Sequence, residues 1–337
     1  MDIDATIKRL ADAPKPANGR RTALFVHPGS VGLGFSPGID VGVEILLPGE
    51  STAPARRNSS LVEISISGKG TVRVDGTSVE LDRYDVCNIP SMKPYQFLNQ
   101  GSEIWVRLAY SNTPLLTQLG AHYSEELTEV AALHGATGST TFTDTPSISR
   151  ETAPDESISP TGARLRGYEF LVDIEPVPNS LLHWPYATMS ALMSQAPGDG
   201  KRTIMALYNP ATERKQGATS NFFVTLTQKP PGYRHRGEGP GHRHNSAAIN
   251  YHFKGTGYSV VDGERIDWEA GDLLLSAPSW REHAHYASET GTSVYTVQDH
   301  PLHIGMESLT WQEEMPGPIR ALGQEAGQTG YTAPRNQ

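Results

Sequence analysis

The sequence predicts an all-β protein made of two small barrels, an irregular connecting segment and a few short helices. Three observations predict it. Short β-branched and apolar runs are punctuated by 33 Gly and 25 Pro in 337 residues, which reads as strand and turn. One glycine-marked β pattern occurs twice at a constant offset. And 337 residues suffice for two cores. A lone barrel would leave the second pattern without a partner fold, whereas two closed or nearly closed barrels protect their strand edges.

Along the chain, residues 2–12 read as a short helix, broken by Pro14, Pro16 and Gly19. Between about Gly42 and Ser111 the clearest strands are Leu61–Ser67, Thr71–Val74 and Glu103–Tyr110. Asp75-Gly76 between two such runs is a hairpin turn. Residues 126–180 are rich in Ser, Thr, Pro and Gly and read as an irregular segment. A short helix follows near Ala187–Ser194, and strands resume at Asn221–Gln228 and run to about Gln298. From Trp311 onward the chain reads as a partly ordered tail. The expected organisation is an N-terminal arm (1–35), a first barrel (36–125), an inter-domain segment (126–205), a second barrel (206–310) and a tail (311–337).

The repeat sets the frame. Gly68, Gly70, Asp75 and Gly76 match Gly255, Gly257, Asp262 and Gly263 at an offset of 187, as Asp85 matches Asp272. Pro90-Ser91 matches Pro278-Ser279 at 188. In the second copy, His242-Arg243-His244 is followed by His283. Histidines at i and i+2 share one face of a strand, and a histidine from a later strand can close a three-imidazole site for a divalent metal. His285, one strand step on, competes for the third place, and the frame on Pro278-Ser279 favours His283. In the first copy the same positions hold Ala55, Arg57 and Tyr95. Alanine has no donor and Arg57 is a fixed cation, so no metal is expected there. The first barrel is then structural, packing on the second or forming an interface between copies, and a homo-oligomer is expected. Arg243 should point away from the metal by strand alternation and pair with a carboxylate.

A three-imidazole set suits Fe(II), Mn(II), Ni(II), Cu(II) or Zn(II). The second copy also has a four-residue insertion after Pro231-Gly232 carrying Arg234, His235 and Arg236, read either as an anion-binding lip or as a solvated basic loop. Gln298, Asp299 and His300 follow the last strand and are candidates to orient substrate or move a proton, with Asp299 also suited to capping the turn before Pro301. Tyr251, Tyr258 and Trp280 are either pocket walls or core. A net charge of -9 argues against nucleic acid or an anionic membrane as partner. The chain has no 18-residue apolar run and no signal-peptide core, and its single Cys87 cannot form an internal disulfide, so a cytoplasmic protein is expected.

These residues resemble the cupin superfamily and, within it, the gentisate 1,2-dioxygenase-like bicupins, over roughly residues 20–315. The family's P-G-E-x-x-P-A-H-R-H motif is split here. Pro48-Gly49-Glu50 and Pro54-Ala55 stand in copy one, and His242-Arg243-His244 in copy two. Its P-S-W-x-W-H-x-H motif resembles the run from Pro278 through Trp280 and His283 to His285. The stretches Leu181 to Tyr186 and Tyr208-Asn209-Pro210 resemble its linker. The resemblance implies two double-stranded β-helix (jelly-roll) barrels, an Fe(II) cofactor, a small hydroxylated aromatic substrate of the gentisate, salicylate or hydroquinone kind, and O2. Catalytic support would come from His285, Gln298 and Asp299. Substrate contacts would come from Asn250, Arg234, Arg236, Trp280 and Tyr251. Two departures stand out. The family's metal lies in the first barrel, and the arginine it places six residues after the second histidine, a carboxylate clamp, is Asn250 here. An Arg-to-Asn change removes a bidentate charged anchor, so the substrate either lacks that carboxylate or is held by another cation. The alternative activity is metal-dependent Lewis-acid chemistry without O2, as in a decarboxylase, lyase or hydrolase. A non-catalytic binding or storage bicupin is a third reading.

Overall fold

In the computed structural model the described residues are 3–29, 34–127, 151–172, 180–195, 202–233, 241–313 and 315–321. Residues 1–135 and 180–337 form one compact unit, and 136–179 a second. The first unit holds two strand assemblies that repeat each other. In the first, one sheet runs Arg21–Leu24, Asp40–Leu46, Trp105–Ser111, Leu61–Ser67, Val86–Ile89 and His183–Trp184, in that spatial order. Facing it is a five-stranded sheet built on Ala55–Arg57, Tyr95–Leu98 and the hairpin Gly70–Val74 with Thr77–Leu81. In the second, Thr203–Ala206, Phe223–Lys229, His283–Gln298, Ala248–Val261 and Glu264–Trp268 form the large sheet, with Leu273–Ala277 also on Ala248–Val261. A small sheet joins Arg243–His244 to Thr310–Gln312 and Arg320–Ala321. The helix Ile3–Asp12 stands where the sequence places one.

Two-sided strands explain how the assemblies pack. Val224, Leu226, Ile249, Tyr251, Phe253, Tyr295 and Val297 join Val41, Val43, Ile45, Val62, Ile64, Val106 and Leu108 in one apolar core. The large sheets of the two barrels therefore meet face to face, as period-2 alternation requires when one face is apolar. Tyr295 donates from its hydroxyl to the Tyr84 carbonyl across this junction at 2.8 Å. The segment read as irregular contains, within the second unit, a hairpin of Asp155–Ser157 with Arg164–Arg166. Asp155 pairs with both Arg164 (2.7 Å) and Arg166 (3.2 Å). No helix among the described residues is long and apolar enough to cross a membrane.

The repeat is visible in backbone conformation. Asp75 (φ 47°) and Gly76 (φ 83°) match Asp262 (φ 52°) and Gly263 (φ 83°), two positive φ values in succession, as a type I′ hairpin turn needs. Gly255 (φ 81°) lies where the long strand bulges against its partner, and a side chain there would collide with the Gly291 carbonyl. Gly255→Ala is expected to cost about 2 kcal/mol or more, from backbone strain and overpacking together. A urea titration should show the loss as a lower midpoint at unchanged slope.

Candidate metal centre

His242 and His244 flank Arg243 at the strand Arg243–His244, and His283 begins the strand His283–Gln298. His242 and His283 exchange backbone hydrogen bonds (3.1 and 2.9 Å), which fixes the spacing of the two segments. One ring nitrogen from each of His242, His244 and His283 lies within 4.8 Å of the others, and all three residues are buried. Outer contacts set the tautomers. His283 Nδ1 lies 2.9 Å from the Arg281 carbonyl, and His244 Nδ1 lies 2.9 Å from the Ser246 carbonyl. A carbonyl only accepts, so in each ring Nδ1 carries the proton and Nε2 keeps its lone pair. His244 Nε2 is buried with no hydrogen-bond partner, a costly state for a polar atom unless a ligand meets it.

Electrostatics favour the neutral ligand form. Burial pushes His283 down to about 4, against a small opposing pull from the Arg281 carbonyl. Burial, then the neighbouring His283 and His300, hold His244 well below the ordinary imidazole range. The donor set therefore fits a divalent cation: three clustered imidazoles, two of them held neutral by burial, no carboxylate in the cluster among the described residues, and one orphaned nitrogen.

His242 and His283 open onto a cavity of about 230 Å3 inside the second barrel. Its walls are alternate residues of the large sheet, including Phe223, Thr225, Thr227 and Lys229 on one strand, and Val294, Thr296 and Gln298 on the next. Asn250, His285 and Arg202 complete its polar lining. His285 is thus beside the triad rather than in it. Its Nδ1 is 2.8 Å from Ser259 Oγ, which also accepts from Trp268 Nε1 at 3.0 Å.

Other expected site residues fall elsewhere. Tyr251 faces the inter-barrel core, because strand alternation turns it away from its neighbour Asn250. Trp280 does not line the cavity; its ring lies under the Arg243 guanidinium at 4.7 Å. Arg243 points outward as expected, but its Nε donates to Gln312 Oε1 at 2.6 Å rather than to a carboxylate. Asp299 lies behind the cavity wall, accepting from the Ala247 N–H at 2.8 Å, and burial raises it to about 7. It is a joint between strand end and helix rather than a group facing substrate. Tyr258 stacks on Tyr286 at 4.6 Å and is no part of the lining. Arg234, His235 and Arg236 lie outside the described residues.

Three important residues escape the sequence reading. Trp311, assigned to a tail, is 1% exposed and stacks on both His242 (4.8 Å) and His244 (4.9 Å). Its strand pairs with the strand Arg243–His244, His244 opposite Trp311, as Arg57 stands opposite Ser124 in the first barrel. Ser246 Oγ bridges His244 Nδ1 (2.9 Å) and His300 Nδ1 (2.6 Å). The offset of 187 already links these positions, since Arg57 contacts Ser59 (2.7 Å) and Thr113 (2.8 Å) in copy one. The same offset carries Asp299 on Ala247 to Asn112 on Ser60. The third is Lys229, a buried cation on the cavity wall.

No family model matches the chain. Over 97% of its length, and 84% of the relative's, it is 23% identical to a 5-aminosalicylate 1,2-dioxygenase of Comamonas sp.. It is 27% identical to a 1-hydroxy-2-naphthoate 1,2-dioxygenase of Nocardioides sp. over 77% of the chain and 63% of that relative. The fold matches crystal structures of salicylate 1,2-dioxygenase from Pseudoaminobacter salicylatoxidans. A single-site mutant of that enzyme superposes with TM-score 0.71 at 16% identity, covering 94% of this chain and 87% of the other. The chain has the bicupin fold of these structures and is similar in sequence to the dioxygenases just named. Both barrels of the bicupin are present, and the described histidine cluster lies in the second.

The interior of the first barrel is filled. Its interior is an apolar cluster that includes Leu46, Leu61, Tyr95, Phe97 and Trp105. Arg107, 1% exposed, lies over the Phe97 ring at 3.5 Å. It donates to Glu44 Oε2 at 2.9 Å and sits 3.1 Å from Glu63 Oε2. Burial pushes Glu63 up to about 8, with Arg107 opposing. Removing only Arg107 would leave buried acid without its cation, so Arg107→Met should cost about 3–5 kcal/mol in urea unfolding, with Glu63→Leu partly restoring it. A raised carboxyl loses its stabilising proton as pH rises, so Glu63→Gln should gain on the parent progressively from pH 4.5 to about 8.

Proposed function

We propose that the second barrel holds one Fe(II) on His242, His244 and His283, and that the protein is a ring-cleaving dioxygenase acting on a hydroxylated aromatic of the gentisate, salicylate or hydroquinone kind. The observation that carries this reading is the buried triad, with its orphaned His244 Nε2 and with His242 and His283 in the wall of the cavity. The names of the relatives, all 1,2-dioxygenases of hydroxylated aromatic acids, support the same class.

When bound, the metal supplies the electronic coupling between the aromatic and dioxygen that neither partner has alone. The chain's own residues do the rest. Trp311 and the Ser246 and Arg281 carbonyls keep the three imidazoles aimed at one point before any ligand arrives. Val294 and Phe223 offer apolar wall to a ring, while Asn250 and Gln298 offer amide groups to its hydroxyls. His285, steadied through Nδ1 by Ser259, is placed to hold or pass a proton at the cavity wall. The first barrel, filled by Arg107 and Trp105, serves as the apolar support of the second. The buried Cys87 thiol suits a reducing compartment, and we place the protein in the cytoplasm.

The test is metal content after anaerobic purification, with oxygen uptake on gentisate, salicylate and hydroquinone. One iron per chain, O2 consumed on one of them, and both lost in His242→Ala and His244→Ala are the expected results. Bound metal without O2 uptake would turn the reading to Lewis-acid chemistry, and absence of metal would overturn the site.

A further inference from the structure

A buried lysine shares the cavity with the histidine cluster. Lys229 is 5% exposed and lies on the same face of its strand as Phe223, Thr225 and Thr227. Burying an ammonium without a counter-charge is expensive, so buried lysines are normally paired. Among the described residues no carboxylate influences this one. Its charged neighbour is another cation, Arg202, and burial together with Arg202 brings it down to about 7. Behind it, His252 stacks on Trp268 at 3.7 Å and is itself held well below the ordinary imidazole range, by burial first and by Lys229 second. Lys229 thus faces a second cation and a neutral ring, with no acid acting on it among the described residues.

The sister barrel shows that the fold does not demand a lysine here. Lys229 pairs in register with Thr292, and the equivalent pair in the first barrel is Leu46 with Trp105. Two apolar side chains fill the barrel that lacks histidine ligands; a cation and a small hydroxyl residue stand in the barrel that has them. Nearby pairs follow suit: Glu44 opposite Arg107 is matched by Thr227 opposite Val294. The charges that plug the first barrel are gone from the second, and the cavity takes their place. Asn250, the neutral amide on the facing strand, pairs with Thr296 on the strand that also carries Thr292.

We infer that Lys229 is the anion anchor of this cavity, binding the carboxylate of an aromatic acid. The inference rests on the proposed aromatic substrate but not on turnover or on the identity of the metal. It specifies the substrate class as a hydroxylated aromatic that keeps its carboxylate, not a bare diphenol, and makes Lys229 the residue that tells the two apart.

The experiment is anaerobic calorimetric titration of the protein as isolated with gentisate and with hydroquinone, which differ only by the carboxylate. Lys229→Met should weaken gentisate about 10- to 100-fold, the range of a hydrogen bond to a charged group, and leave hydroquinone within about twofold. Lys229→Arg should recover most of the gentisate affinity, which a merely space-filling lysine would not require. Equal losses for both ligands, an unchanged gentisate affinity in Lys229→Met, or no preference for gentisate in the parent would each overturn the anchor. Iron content and oxygen uptake report separately on the dioxygenase reading: selective gentisate binding lost in Lys229→Met, with no O2 consumed, would keep the anchor and reject the reaction.

Discussion

Everything in this protein hangs on the two-faced sheet of the second barrel. Its strands send alternate side chains to opposite sides, one set into the core shared by the barrels and the other into the cavity. Val224, Leu226, Tyr295 and Val297 hold the barrels together, while Thr225, Thr227, Thr296 and Gln298, their immediate neighbours, line the candidate site. A one-residue slip in any strand would exchange these faces, so the register that stabilises the fold is also the register that assembles the site. The bulges where the paired long strands bend let one continuous strand serve both halves of the barrel.

The two barrels are one plan with two interiors. Hydrogen bonds at equivalent positions persist, from Asn112 on Ser60 to Asp299 on Ala247, although the interiors they support differ. In the first barrel Arg107 and Trp105 occupy the interior, and the acids beside Arg107 are the cost of burying it. In the second, smaller residues leave room, and burial disfavours the charged form of His244 and His283. The barrel without the histidine cluster is then a scaffold whose large sheet gives the other a rigid, apolar back.

How far the sequence can be read depends on what each residue has to do. The histidine cluster is legible because it leaves a chemical trace, histidines at strand spacing within a repeat whose other copy lacks them. Tyr251 and Trp280 are misplaced because an aromatic on a half-buried strand suits core and pocket alike, and only the register decides between them. Trp311 is missed because it follows the last long strand, in a run without apolar periodicity; the offset of 187 from Ser124, whose strand pairs with Arg57, is the signal available. Asp299 is legible as a turn residue, and its bond to Ala247 agrees with that part of its reading.

The all-β class, the two copies, the hairpin turns and the copy that carries the histidines are all legible in the chain, because they follow from local side-chain chemistry and from periodicity. That the large sheets pack face to face, that Trp311 walls His242 and His244, and that Lys229 shares a cavity with His242 and His283 emerges only on folding. Those facts join residues on separate strands, or depend on which face of a strand points inward. Strand pairing sets both, and pairing is a property of the folded chain rather than of any one segment.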